Sequence, residues 1–424
     1  TMARKMKDSG IEWIGEIPEG WEVVPVRSCF DEVRTKNTDG QEQNALQFKS
    51  GNIISKSNFN ANTDDYVADT ITNYTVVLPD TVMINGLNLN YDFKSLRVAL
   101  VKEKGVITSA YLAIFPDRKK ISPQYATYLF KGYETKMAFH NMGAGIRKTL
   151  GYKEFKNQPL LLPSKEEQNK ISAYLDSKCS HIDTMLFRTS SSIEEYKKLK
   201  QAVITQAVTK GVRGEREMKD SGVEWIGEIP KEWDILNLVA HTSMLTPMRD
   251  RPENLDGPIP WIRIEDFDGK YISSSKASLG VSKETVRSMN LKIYPVGTIL
   301  CTSSCIMGKC AIVSRELVSN QRFIGIIPDQ NTCENFLYYL MLSSSERMNY
   351  LATGALQANL SRSSFEHLKV QFPSYQEQKE ISDYLDTKCA EIDKLIAKKE
   401  QLVKELESYK KSLIYEVVTG KREV

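Results

Sequence analysis

The sequence predicts an α+β protein built twice, with two α+β bodies related by a pseudo-twofold axis and separated by two long antiparallel coiled-coil helices. Three observations predict it. A leader recurs: residues 6–18 read MKDSGIEWIGEIP and residues 218–230 read MKDSGVEWIGEIP, at an offset of 212, differing only at Ile11 against Val223. A second block recurs at an offset of 210: residues 164–183 read SKEEQNKISAYLDSKCSHID and residues 374–393 read SYQEQKEISDYLDTKCAEID. Beyond each block, apolar residues return every three or four positions, with no proline and no glycine until Gly211 and Gly420. That is the pattern of a helix carrying one sustained apolar stripe.

Each leader holds two tryptophans, Trp13 and Trp21 in the first, Trp225 and Trp233 in the second. Such residues could form a base-stacking platform. Their recurrence in both halves reads better as a structural clamp that docks leader onto body or helix.

The bodies diverge but keep a common skeleton. TVMINGLNLNYDFKSLRVALV (81–101) aligns with GTILCTSSCIMGKCAIV (297–313), and VITSAYLAIFP (106–116) with LVSNQRFIGIIP (317–328). Short strand-like runs at 81–84, 98–101, 298–301, 311–313 and 323–327 precede helical stretches at 124–139 and 334–351, so each body is α+β. Two different bodies on one frame point to two related domains that bind two different things.

The helices begin after Pro163 and Pro373, at Ser164-x-x-Glu167 and Ser374-x-x-Glu377. Both are capping boxes, in which serine caps an orphan N–H and glutamate reaches back. The expected seam runs through Ile171, Leu175, Ile182, Leu186, Ile193 and Val203 in the first helix. In the second it runs through Ile381, Leu385, Ile392, Ile396, Val403, Leu406 and Leu413. Each helix should span roughly 70 Å, too long a stripe to stay solvated, and the natural partner is the other copy. One helix carries the chain away from the first body and the other brings it back, which puts the bodies at opposite ends. Thr189, Ser190, Ser191 and Ser192 weaken the first stripe at its midpoint, where a break or bend could fall. The expected segments are 1–163, leader and first body; 164–211, first helix; 212–373, leader repeat and second body; and 374–424, second helix.

Composition narrows the function. The 424 residues are 41% hydrophobic and 26% charged, ordinary globular material, enough for about two to three domains. No run approaches the ~20 apolar residues of a membrane span. The first fifteen residues lack the apolar stretch of an export leader. Seven dispersed cysteines with no CxxC pair are therefore expected to be reduced thiols in a cytoplasm. The net charge of +3 is small for a protein that grips DNA alone. Either no nucleic acid is bound, or the grip is shared with partner subunits.

The doubled MKDSG-[IV]-EWIGEIP-x-x-W leader and the doubled PS-x-x-EQ-x-x-IS-x-YLD-[ST]-KC-x-x-ID block, with a last helix closing on VVTGK (417–421), resemble the specificity (S) subunit of Type I restriction–modification enzymes. The resemblance covers the whole chain. It departs at 189–192 and at AVTKG (207–211), which bears on the exact helix boundary. It implies that each body is a target recognition domain reading one half of a bipartite site in double-stranded DNA. The helices would set the gap and dock two modification (M) subunits that methylate adenine, and restriction (R) subunits would join to cleave. The chain itself would be non-catalytic, bacterial or archaeal, without a membrane and without a cofactor of its own. S-adenosylmethionine would sit on the modification subunit, and ATP and Mg on the restriction subunit.

Catalytic motifs point the same way. There is no Pro-Pro and no GxGxxG in the sequence, so neither an adenine-methyltransferase catalytic run nor its glycine-rich cofactor loop is present. Pro79-Asp80 with Asp92-Phe93-Lys94 only loosely matches a metal-dependent nuclease site and reads as a surface turn. Gly308-Lys309 lacks the first glycine and the following Ser/Thr of a P-loop. Cys301, Cys305, Cys310 and Cys333 do not have usual zinc spacings and read as buried thiols. His140, His181, His241 and His367 form no cluster.

Base edges are read by Arg, Lys, Asn, Gln, Ser and Thr on projecting elements. In the first body the candidates are Asn85, Asn88, Asn90, Tyr91, Lys94 and Arg97 on one loop, and Arg147 and Lys148 on a glycine-hinged second loop. In the second body, Ser303, Ser304 and Lys309 take the place of the first loop and Gln357, Asn359 and Arg362 that of the second. Asn320, Gln321 and Arg322 form a third polar cluster, of which Gln321 and Arg322 are the candidates.

Overall fold

A computed structural model of the chain describes residues 4–56, 71–93, 96–142, 148–247, 251–304, 308–352 and 360–424. The chain divides into two compact units, Thr1–Ser190 with Gln401–Val424, and Ser191–Glu400. The divisions fall within the long helices rather than at their ends. Each unit therefore combines a leader, a body and part of both helices.

In the first unit, β1 (Met6–Asp8) and β2 (Glu16–Pro18) form the leader hairpin and β3 (Glu22–Pro25) follows. The body contains β4 (Phe30–Glu32), β5 (Leu46–Lys49), β6 (Asn52–Ser55), β7 (Thr75–Val77), β8 (Val82–Ile84), β9 (Val98–Leu100), β10 (Gly105–Ile107) and β11 (Leu112–Pro116). Helix α1 (Pro123–Thr135), short helix α2 (Tyr152–Phe155) and β12 (Pro159–Leu162) complete it, and α3 (Lys165–Lys210) follows. The main sheet has the order β4-β11-β8-β9, all antiparallel. It is covered on both faces: Val82 and Ile84 join the core that includes α1, while Met83 and Ala99 join a second core with Leu46 and Val77. This is why β8 is an unbroken apolar run rather than an alternating one.

The second unit repeats the frame. It contains β13 (Met218–Asp220), β14 (Glu228–Pro230), β15 (Asp234–Asn237), β16 (Thr242–Leu245), β17 (Ile259–Ile262), β18 (Tyr271–Ile272), β19 (Gly280–Val281) and α4 (Lys283–Ser288). Then come β20 (Ile299–Thr302), β21 (Cys310–Val313), β22 (Val318–Ser319), β23 (Phe323–Pro328), α5 (Glu334–Ser343), α6 (Ser345–Leu351), α7 (Arg362–Glu366), β24 (Lys369–Phe372) and α8 (Tyr375–Val418). The sheet order β16-β23-β20-β21 reproduces the first, with β18 added in parallel on β21. β15 pairs with β24 as β3 pairs with β12. The insertions differ: β5, β6 and β7 in the first unit, β17, β19 and α4 in the second.

Both units contain an antiparallel helix pair. In the first, Ile171, Leu175, Cys179 and Ile182 of α3 share a core with Leu413, Ile414, Val417 and Val418 of α8. Asp183 and Lys410 pair across it at 2.6 Å. In the second, Ile204, Ala207 and Val208 of α3 share a core with Ile381, Leu385 and Cys389 of α8, and Lys200 pairs with Asp393 at 2.7 Å. Ile193 and Ile392 are buried, whereas Leu186, Val203, Ile396, Val403 and Leu406 are half-buried. Thr189, Ser190, Ser191 and Ser192 are helical, so α3 does not break there. Gly211 and Gly420, at φ +77° and +71°, follow the helix ends in the left-handed conformation a helix C-terminus favours.

The capping boxes form only in part. Ser164 and Ser374 accept the backbone N–H of Glu167 and Glu377 at 3.3 and 3.4 Å. The two carboxylates do not turn back onto their own helix, because the leaders take them. Trp21 Nε1 donates to Glu167 at 2.9 Å and Trp233 Nε1 to Glu377 at 3.1 Å. Arg4 and Arg216 pair with the same carboxylates and lie over the same indole rings. Trp21 and Trp233 thus clamp leader to helix. Trp13 instead meets Tyr133 edge-on at 4.8 Å.

Candidate nucleic-acid interface

The described parts of the clusters singled out from sequence come together, in each unit, at the strand ends of the main sheet. In the first unit the loop after β8 runs beside the segment leading into α2: Leu150 N–H donates to Gly86 O at 2.9 Å and Leu89 N–H to Lys148 O at 3.3 Å. A Cβ on Gly86 would lie 2.5 Å from Leu150 O, so only glycine allows this approach. In the second unit the loop after β20 meets the segment leading into α7: Leu360 N–H donates to Ser303 O at 2.9 Å. Ser303 N–H donates to Arg322 O at 2.8 Å, which brings in the third cluster. Leu150 and Leu360 stand at the same offset as the repeated blocks.

Within this frame Asn88, Tyr91 and Lys148 are exposed, and Asn85 and Asn90 are half-buried. Asn88 and Lys148 have positive φ, +53° and +40°. In the second unit Lys309, Gln321, Arg322 and Arg362 are exposed, Ser303 is half-buried and Ser304 is buried. Arg362 is paired along its own helix with Glu366 at 2.7 Å. Lys94, Arg147, Gln357 and Asn359 lie outside the described residues, as does Cys305.

Arg97 differs from the expectation of a projecting side chain. Its side chain is 1% exposed. The guanidinium donates to the carbonyls of Asn85 and Leu87, each at 2.9 Å, and to that of Asp92. It also faces the Asp92 carboxylate at 3.7 Å. A planar fork with five donors can satisfy several carbonyls at once, so Arg97 holds the loop from beneath rather than reaching out of it. The Arg97 backbone N–H donates to the Glu134 carboxylate on α1. Burial pushes that carboxyl up to about 7, against the opposing pull of the Arg97 N–H and the cations of Lys131, Arg97 and Lys411.

Sequence reasoning missed Glu134 and His140. His140 Nε2 lies 3.1 Å from Asp92 O, and its ring stacks on Phe93 at 5.0 Å and 11°. No local signal could have revealed either partner, because both contacts join residues far apart in the chain.

The other motifs have structural explanations. Asp80 occupies a left-handed turn at φ +75° and pairs with Arg118 at 2.6 Å. Cys301 and Cys310 face each other across β20 and β21; they and Cys333 are free and buried. Burial raises the Cys301 thiol. Among the described residues no group of three or more His, Cys, Asp or Glu side chains could hold a metal ion, and no helix is long and apolar enough to cross a membrane.

Doubled sheets with equivalent but chemically different loops define a protein of two repeated units. Residues 234–405 match the Type I restriction modification DNA specificity domain. The chain is 25% identical over 421 residues to the MjaX type I restriction enzyme specificity subunit of Methanocaldococcus jannaschii, covering 96% of this chain and 95% of that protein. It is 34% identical over 181 residues, 41% of each chain, to the MjaIX specificity subunit of the same organism. Over 46% of its length it is 26% identical to the EcoKI specificity subunit of Escherichia coli, covering 44% of that subunit. Among solved structures, it superimposes with a TM-score of 0.72, at 13% identity, on a chain from a study of type I R-M system assembly, covering 96% of this chain and 99% of that one. The HsdS subunit of Thermoanaerobacter tengcongensis gives a TM-score of 0.52 at 14% identity, covering 98% of this chain and all of that subunit. These comparisons place the chain beside the specificity (S) subunits of Type I restriction–modification enzymes, with which it shares its fold and, over residues 234–405, the DNA specificity domain.

Proposed function

We propose that the chain is the DNA sequence-specificity subunit of a Type I restriction–modification complex, each unit reading one half of a bipartite target. One observation carries this reading. The same backbone junction, Leu150 to Gly86 in one unit and Leu360 to Ser303 in the other, presents different side chains in each. A shared frame holds two readers in place, and the divergent loops let them read different bases.

The chain carries no catalytic site in this reading. Two modification subunits would dock on the helices and methylate adenine with S-adenosylmethionine, and restriction subunits would cleave with ATP and Mg. The complex would work in the cytoplasm of a bacterium or archaeon. The modest charge of +3 suits a subunit whose partners supply further phosphate contacts.

The test is a base-resolution methylation map of cellular DNA, with and without this chain, beside a cognate modification subunit. A new two-part methyladenine motif that depends on the chain is the expected result. An unchanged map, with the modification subunit shown to bind, would overturn the reading.

A further inference from the structure

The loop at 85–93 exposes more apolar surface than a solvated turn needs. Tyr91 is 73% exposed and Phe93 is 56% exposed. A slack loop could fold such rings back onto the body, but this one is braced. Arg97 holds the carbonyls of Asn85, Leu87 and Asp92 from below. His140 meets the Asp92 carbonyl with its Nε2 and stacks on Phe93 with its ring face. The rings are therefore presented ahead of binding, and little ordering entropy remains to be lost when a ligand arrives.

The chemistry of duplex DNA narrows what they meet. Phosphates offer charge and most base edges offer donors or acceptors. The one apolar group on a major-groove base edge is the thymine 5-methyl. Its paired adenine offers N7 and N6, the edge that an asparagine amide matches, and Asn88 stands exposed three residues before Tyr91. The second unit contrasts with this. The described residues of its equivalent loop, Ser303, Ser304, Gly308 and Lys309, include no aromatic, and Gln321 and Arg322 lie exposed beside them.

We propose that the half-site read by the first unit contains an A·T pair whose thymine methyl packs on Tyr91 and Phe93, with Arg97 as the positioning residue. This rests on the reading that the loop faces DNA. The specificity function and this inference are separable, because the methylation map tests the function alone. A map without a chain-dependent motif rejects the specificity function and this inference with it.

Once the target is known and exchange of the first body has assigned its halves, each thymine of the first unit's half is replaced singly by deoxyuridine. That change removes only the methyl group. Binding is measured with the full chain in complex with its modification subunits. At one position affinity is expected to fall about three- to tenfold, the effect of exposing roughly one methyl-sized apolar group. In Phe93→Ser and Tyr91→Ser the same replacement should cost less than about twofold. Arg97→Lys should also blunt the thymine–deoxyuridine contrast while leaving affinity for unrelated DNA and recognition of the other half-site unchanged, a pattern that general loss of folding would not produce. The inference is overturned if the first unit's half lacks an A·T pair, if every deoxyuridine binds within twofold of thymine, or if the loss persists undiminished in both serine variants.

Discussion

Arg97, which is buried, and Glu134, which is half-buried, show how single groups shape the candidate interface. Glu134 is an acid whose folded value, about 7, lies above its ordinary 4.5 because burial disfavours the charged form. Between those two values the folded state holds more protons than the unfolded one, so this group's contribution to stability falls as pH rises through the window. Glu134→Gln removes the half-buried charge and keeps an oxygen for the Arg97 N–H. It should raise the unfolding free energy at pH 8 by up to about 3 kcal/mol, and by much less at pH 5, measured by denaturant titration at both values. Gly86→Ala tests close approach instead of charge. Its new methyl would press on the Leu150 carbonyl, so a loss of about 1–3 kcal/mol is expected.

At the scale of elements, several residues of the repeated blocks perform the same task in both copies. Gln168 accepts the Ser122 N–H and donates to Lys120 O and Pro163 O. Gln378 accepts the Cys333 N–H and donates to Asn331 O and Pro373 O. Asp176 accepts the Tyr128 hydroxyl and Asp386 that of Tyr339. Serine caps the helix, glutamate holds the leader, glutamine holds the turn before the body helix, and aspartate holds that helix. The helix pair itself depends on apolar burial. Leu175→Ala, at a fully buried seam position, should cost about 2–5 kcal/mol. Lys410→Ala removes a partly exposed ion pair and should cost under about 1 kcal/mol; thermal melts of the two variants would show the contrast. If the helices act as a ruler, inserting one or two helical turns between Glu194 and Val203 should change the gap of the methylation motif and leave both half-sites intact. An unchanged gap would reject the ruler.

For the whole molecule, two units with a shared sheet order and different insertions would, in the proposed function, allow modular recognition. Exchanging the first body alone, with leader and α3 retained, should replace one half of the methylated motif and leave the other half and the gap unchanged. Simultaneous change of both halves would show that the units do not read independently.

The doubled plan was legible in the sequence because leaders and blocks contact each other, and mutual contact preserves both partners. The seam was legible because burial against a second helix imposes a period of three to four residues. The capping glutamates were misjudged for a physical reason: a local rule assigns them to their own helix, but Trp21 and Trp233 arrive from well over a hundred residues away and supply better donors. Arg97 followed the same logic. In sequence it is a cation in a polar loop; in the fold three carbonyls close around it and remove it from solvent. The sequence by itself determined which elements exist and that they come in pairs, since periodicity and repetition are local properties of a chain. Only the tertiary structure decided which polar groups face outward, because loop closure and burial depend on neighbours that the chain brings together only when it folds.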